Sequence, residues 1–115
     1  MLKYLSEITP YIVDLKNNEI NLSNTSDYIS ITCDPWGHIR VSQQAILFIN
    51  DECISSMHLS SKDENLALPP IFKISTKDHF VAGETYKIHI HVIEYDESDS
   101  PNQGTSADLL LNIKN

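Results

Sequence analysis

Two histidines separated by a single residue have the spacing that best suits metal binding in this chain. His89 and His91 lie in an alternating run of residues 86–92. Side chains at positions i and i+2 of a β-strand project from the same face, so the two imidazoles could chelate zinc or copper. Because Ile88 and Ile90 take the opposite face, we expect the histidines to point outward. A metal site needs a third ligand, and another histidine could supply it only if the fold brought it near. The spacing therefore favours a solvent-facing pair and no bound cofactor.

A second candidate is the acidic stretch that follows this run. Asp96, Glu97 and Asp99 are closely spaced, and carboxylates of this kind are the ligands that a hard cation such as calcium prefers. The stretch lacks the spacing of an EF-hand loop. We therefore expect a solvated hairpin loop over residues 96–104, in which the three carboxylates are candidate binding residues.

The turn of residues 34–38 contains the only tryptophan, Trp36, with His38 two residues further on. An exposed tryptophan at a loop tip would anchor a protein partner or stack on a sugar ring. Trp36 and His38 are therefore further candidate binding residues. The alternative is a tryptophan that packs into the core.

Nucleophilic catalysis is not predicted. A reactive thiol needs a base within hydrogen-bond reach and a group that orients the base. Cys33 alternates with Ile29 and Ile31, which places it inward, and nothing in the spacing of Cys53 and His58 marks an activated thiol. The chain has no nucleophile-elbow, phosphate-loop, dinucleotide or zinc-protease motif, and it has only three glycines. We expect no catalytic residues and no enzymatic activity.

Charge and length exclude several classes of protein. The chain has 115 residues, with 8 lysines and arginines against 16 aspartates and glutamates, for a net charge of −8. A duplex-binding protein would need basic residues to meet phosphates, so nucleic acid is not an expected partner. No apolar run approaches the 18 or so residues of a membrane span, so no membrane insertion is expected. The first residues lack the layout of a secretory signal, which predicts a cytoplasmic protein if Met1 is the native start and a cell-surface protein if the chain is an excised domain.

The elements that must position these residues are short strands. Alternating or continuously apolar runs are separated by turn-forming residues, and no helix is predicted between them. Residues 45–49 are apolar throughout, which predicts a strand covered on both faces. Such a pattern indicates an all-β antiparallel sandwich. The runs lie near residues 11–15, 20–22, 29–33, 45–49, 54–59, 71–74, 86–92 and 109–113.

Several short motifs also follow one another in a familiar order over residues 10–113. They are Pro10-Tyr11-Ile12, the run 18–22, Ile29-Ser30-Ile31 before Trp36, the run 45–50, Ile71-Phe72-Lys73-Ile74, Gly83-Glu84-Thr85-Tyr86 and the run 106–111. This order resembles a single immunoglobulin-like repeat of the kind found in tandem in bacterial surface and adhesin-like proteins.

The resemblance implies an immunoglobulin-like sandwich of two antiparallel sheets with seven or eight strands. The domain would occupy residues 10–115. For residues 1–9 before it we expect an extended lead-in, although the spacing of Leu2, Leu5 and Ile8 also allows one turn of helix. It implies that Trp36 faces inward and closes one end of the sandwich, and that the Tyr86 hydroxyl bonds back to the backbone. It offers no cysteine opposite Cys33, so both cysteines are expected to be reduced and mostly buried.

The function that this resemblance implies is non-enzymatic. It is a binding or spacer module of a surface or adhesin-like protein that contacts protein or glycan through loops or edge strands. The alternative is a small acidic inhibitor or immunity-type protein, because a charge of −8 would steer the chain onto a basic protein partner. A third hypothesis is a metal-binding module that uses His89 and His91.

Overall fold

The computed structural model describes residues 5–15, 17–36, 39, 42–59, 61–63, 66–94 and 102–115. Within these residues the chain forms eleven strands, one 3-10 helix and one turn of α-helix. In chain order they are the 3-10 helix Leu5–Glu7, β1 (Tyr11–Ile12), β2 (Glu19–Asn21), β3 (Tyr28–Thr32), β4 (Gln43–Ile49), β5 (Glu52–His58), β6 (Ser61–Asp63), β7 (Leu66–Ala67), β8 (Phe72–Ser75), α1 (Thr76–His79), β9 (Thr85–Glu94), β10 (Asn102–Thr105) and β11 (Leu109–Lys114).

Two sheets pack as a sandwich, which confirms the all-β class. One sheet has three strands in the order β1-β3-β8, and the other has six, in the order β2-β11-β9-β4-β5 with β10 also paired to β9. The neighbours β1-β3-β8 and β4-β9-β11 correspond to the A-B-E and C-F-G strands of an immunoglobulin-like sandwich. Strands β6 and β7 form a separate two-stranded ribbon.

The core lies between the two sheets and is built by alternation. Every second residue of β4 is buried from Gln43 to Ile49, and the residues between them are half-buried, as expected for a strand covered on both faces. On β9 the buried positions run from Ile88 to Glu94. Full burial of one aliphatic side chain of this size contributes roughly 1.5–3 kcal/mol of transfer free energy. The buried residues of β4 and β9 therefore contribute a large part of the stability of the sandwich.

The structure differs from the sequence predictions at several places. The loop predicted over residues 96–104 ends earlier, because Asn102–Thr105 form β10 and pair with β9. Strand β2 pairs with β11 in parallel, so the larger sheet is not wholly antiparallel. The expected extended lead-in is wrong over Leu5–Glu7, which form a 3-10 helix that buries Leu5 completely in the core. The turn of helix α1 was not predicted. Its first residue is tied to a segment distant in sequence, because the Thr76 hydroxyl donates to the Ser26 and Asp27 carbonyls at 3.0 and 3.1 Å.

Among the described residues, no helix has the length and apolar character needed to cross a membrane.

Candidate binding site

Exposed apolar side chains gather around one groove. Seven large hydrophobic side chains are exposed in the described part of the chain, and four of them line the same groove: Tyr11, Val13, Leu68 and Ile71. Ile71 is the most open of the four, with 58% of its surface accessible. The groove has a volume of about 500 Å³, which is within the usual range for a ligand cleft.

One wall of the groove is the start of the smaller sheet. Strand β1 pairs with β3 at Tyr11 and Ile12, and the Val13 N–H adds one more bond, to the Ser30 carbonyl at 3.0 Å. Asp14 has a positive φ of 66°, and the Leu15 N–H donates to the Ile12 carbonyl at 3.2 Å, so the chain turns away directly after β1. Because Ile12 enters the core, its neighbours Tyr11 and Val13 are left on the outer side.

The opposite wall is the proline pair that precedes β8. Leu68 and Ile71 flank Pro69 and Pro70, whose rings fix the backbone φ and leave no N–H to satisfy. The buried Thr32 hydroxyl donates to the Pro70 carbonyl at 2.7 Å and ties this wall to the end of β3. The groove therefore lies between two segments that are held in place before any ligand arrives.

The remaining lining is compact and nearly uncharged. Cys33, Pro35 and Met57 contribute sulfur and aliphatic surface, and Asp34 is the one charged side chain among the described lining residues. Burial raises the pKa of the Cys33 thiol to about 12, with a smaller contribution from the Asp34 charge. Cys33 is therefore a protonated, apolar part of the lining at neutral pH.

A second surface, which we call the histidine face, is the outer side of the six-stranded sheet around Phe48, His89 and His91. The Phe48 ring stacks on the His89 ring, with centroids 5.0 Å apart and an interplanar angle of 8°. It also meets the His91 ring edge-on at 6.5 Å. The two histidines share this face, as their i and i+2 spacing predicted, but they are not simply solvent-facing. Only 13% of the His89 side chain is exposed.

The two imidazoles have different polar surroundings. His91 contacts the Thr105 hydroxyl through Nδ1 at 2.7 Å and Gln103 Oε1 through Nε2 at 3.0 Å, so both of its nitrogens are satisfied within the sheet. The Nδ1 atom of His89 is buried without a hydrogen bond, and Asp108 Oδ1 lies 3.6 Å from it. That distance is within ion-pair range and beyond a hydrogen bond.

A β-bulge places Asp108 beside His89. Thr105 pairs with His91 and Leu109 pairs with Ile88, so three residues oppose two. Ser106 stabilises the bulge, since its N–H donates to the Ile90 carbonyl at 2.8 Å and its hydroxyl accepts the Ile90 N–H at 2.9 Å. No spacing in the sequence places an aspartate on this face. Even so, no group of three or more histidine, cysteine, aspartate or glutamate side chains in the described residues could hold a metal ion.

The predicted binding residues fall in different places. Trp36 is buried with 4% of its surface exposed, and its indole N–H donates to Gln43 Oε1 at 3.0 Å. It is therefore part of the core and not an exposed anchor for a partner. His38 and the acidic residues Asp96, Glu97 and Asp99 lie outside the described residues.

Two further predictions can be compared with the structure. The Tyr86 hydroxyl accepts the Val81 backbone N–H at 2.9 Å, which confirms the predicted bond back to the backbone. The prediction of two mostly buried cysteines is half wrong. Both are free, and Cys33 is buried, but Cys53 is exposed because it faces outward opposite Phe48.

Sequence reasoning missed the groove. Its exposed residues come from segments more than 50 residues apart. The alternation within each segment does not show which set of alternate residues faces the core. One local signal is present in the sequence, because Leu68 and Ile71 flank two adjacent prolines.

The fold and the groove together define an all-β sandwich that carries an exposed apolar cleft beside an edge strand. No protein-family model, curated protein or solved structure matches the chain.

Proposed function

We propose that the chain is a non-enzymatic binding module that contacts a protein partner through the apolar groove. The observation that carries the proposal is the gathering of four exposed apolar side chains around one concavity, since single exposed hydrophobics are ordinary and clustered ones mark interaction sites. The groove lies between edge strand β1 and the loop of residues 68–71, in keeping with contact through loops or edge strands.

The chemistry of the lining favours protein over glycan. Sugar recognition needs several free hydrogen-bond groups beside an aromatic ring, and the lining offers few. The Thr32 hydroxyl is already bonded to the Pro70 carbonyl. Apolar side chains of a protein partner would bury the groove walls without leaving polar groups unpaired.

A larger cleft of about 740 Å³ is a weaker candidate. It lies where β2 and β11 meet the turn before β9, and Glu19, Glu84 and Lys114 are among its lining residues. Exposed charged side chains of this kind are ordinary solvated surface, and none of the seven exposed large hydrophobics lines this cleft.

Two origins for such a module stay open as proposals. The strand order and the Tyr86 bond support an immunoglobulin-like repeat of a bacterial surface or adhesin-like protein. The net charge of −8 supports the alternative, a small acidic inhibitor or immunity-type protein of a basic partner. Reading the gene downstream of Asn115 separates them, because further similar repeats would favour the first and a partner gene beside a terminated frame would favour the second.

The groove itself is tested with a neutral peptide, acetyl-Ser-Leu-Phe-Leu-Ser-amide, titrated into isotope-labelled protein and followed by NMR. We expect saturable shifts of the amides around residues 11–13 and 68–71. The double variant Tyr11→Ser/Ile71→Ser should bind at least about fivefold more weakly, because roughly 1 kcal/mol of apolar burial is lost. The control Val81→Ser/Leu110→Ser removes two exposed hydrophobics that do not line the groove and should bind as the parent does.

Two results would overturn the proposal. One is the absence of saturable shifts at millimolar peptide, and the other is equal weakening by the groove variant and the control.

A further inference from the structure

We infer that the groove takes an apolar anchor flanked by lysine or arginine, in an extended segment of a basic partner. This inference rests on the proposed function and specifies the chemistry of the partner. Three observations support it: the charge of the whole chain, the charge at the groove and the shape of the groove.

The whole chain repels anionic and attracts cationic partners. Sixteen carboxylates stand against eight lysines and arginines. A net charge of −8 on 115 residues raises the local concentration of cations around the molecule and speeds their encounter. A basic segment would therefore reach any exposed apolar site on this protein faster than an acidic one.

The charge at the groove has the same sign. Asp34 is exposed and lines the groove, and no lysine or arginine is among the described lining residues. Asp14 follows Val13 directly and is also exposed. A cation beside an apolar anchor would meet a carboxylate at the groove, whereas an anion there would find no cation among the described lining residues.

The shape of the groove suits an extended chain. Its walls are two short segments, residues 11–13 with strand β1 and the loop of residues 68–71, and the cleft between them is open to solvent. The backbone of β1 offers little pairing, because the Ile12 carbonyl already accepts the Leu15 N–H. Side chains, and not added β-pairing, must therefore provide the affinity, which explains why the chemistry of the anchor and its flanks decides binding.

Three peptides with one apolar core test the inference: acetyl-Lys-Leu-Phe-Leu-Lys-amide, its serine counterpart and its glutamate counterpart. At low salt we expect the lysine peptide to bind roughly tenfold more tightly than the glutamate peptide, with the serine peptide between them. At about 0.5 M salt the three affinities should converge, since exposed charges are then screened within a few ångströms.

Single variants locate the charge that matters. Asp34→Asn should reduce the preference for the lysine peptide over the serine peptide by roughly twofold to fivefold. The matched control Glu84→Gln removes one exposed carboxylate that does not line the groove, and it should change the preference less. Serine-peptide binding should be unaffected by either variant.

The outcomes separate the two proposals. Equal affinity of the three peptides at low salt would overturn the inference and leave the groove as a general apolar site. Binding of none of them would overturn the proposed function as well. Equal effects of Asp34→Asn and Glu84→Gln would show that only the overall charge acts, and would overturn the assignment of the flanking cation to the groove.

Discussion

The groove and the histidine face are both exposed surfaces, but they treat their side chains in opposite ways. In the groove, Tyr11 and Ile71 present apolar surface that the described residues leave exposed. On the histidine face, the Phe48 ring is covered by His89, and the nitrogens of His91 are bonded to Gln103 and Thr105. The groove therefore exposes apolar side chains to solvent, whereas most side chains of the histidine face are stacked on or hydrogen-bonded to neighbouring residues.

A side chain that is packed against its neighbours stabilises the fold, whereas an exposed apolar side chain can contact another molecule. The spacing of His89 and His91 attracts attention in the sequence, yet their contacts are the cross-strand pairs that stabilise a sheet. The groove residues have no notable spacing, yet their apolar side chains are exposed to solvent. Exposure combined with few contacts to the described residues is therefore the basis on which we propose the groove, and not the histidine face, as the binding site.

The two cysteines give the largest expected contrast between the surfaces. Cys33 lies in the lining of the groove, and burial raises its pKa to about 12, so its thiol stays protonated at pH 7. Cys53 is exposed beside the histidine face. We expect a thiol reagent at pH 7 to label one cysteine in the folded protein, Cys53, and both after denaturation. Mass spectrometry of the digested protein identifies the site, and rapid labelling of Cys33 would mean that the groove opens down to its lining.

The next largest effect is expected for the aromatic ring at the centre of the histidine face. Phe48→Ala should lower the free energy of unfolding by about 2–3 kcal/mol, because it removes a half-buried ring together with its contacts to two imidazoles. The groove counterpart Tyr11→Ala should lower it by less than about 1 kcal/mol, since that ring is exposed. Urea denaturation measures both, and equal losses would remove the distinction between the surfaces.

Much of the fold could be predicted from alternation, and the groove could not. Ile88, Ile90 and the apolar run 45–49 identify the two central strands, because a period of two with β-branched residues has few other solutions. Alternation says nothing about which strands become neighbours, so the parallel β2–β11 pair was missed. Where a strand is short, alternation also does not show which of its residues face the core. Strand β1 has only two residues, and Ile12, not Tyr11 or Val13, enters the core.

One buried hydrogen bond joins the proline wall of the groove to the end of β3. Thr32→Val keeps the shape of the side chain but leaves the Pro70 carbonyl without its 2.7 Å donor, so we expect a loss of about 1–2 kcal/mol. Because the proline wall is then free to move, neutral-peptide binding should weaken too. Thr32→Ser retains the hydroxyl and should recover most of the peptide affinity. Equal peptide binding by the valine variant would show that the wall is fixed by other contacts.

A smaller effect is expected at the aspartate of the histidine face. Asp108 is about half exposed and lies 3.6 Å from His89 Nδ1, so solvent screens the pair. Asp108→Asn should change the free energy of unfolding at pH 7 by less than about 0.5 kcal/mol. A loss above about 1 kcal/mol in urea denaturation would mean that the pair, and not ring stacking, holds this face together.

The smallest change in stability is expected where the change in binding is largest. Ile71 is 58% exposed, so Ile71→Ser should alter the free energy of unfolding by no more than about 0.5 kcal/mol. The same variant should weaken the neutral peptide severalfold, because the isoleucine would be buried only in the complex. A substitution that leaves the stability unchanged and weakens peptide binding would show that Ile71 acts in binding and not in folding. If Ile71→Ser destabilises the fold as much as Phe48→Ala does, the groove is part of the core, and its exposed side chains need no partner.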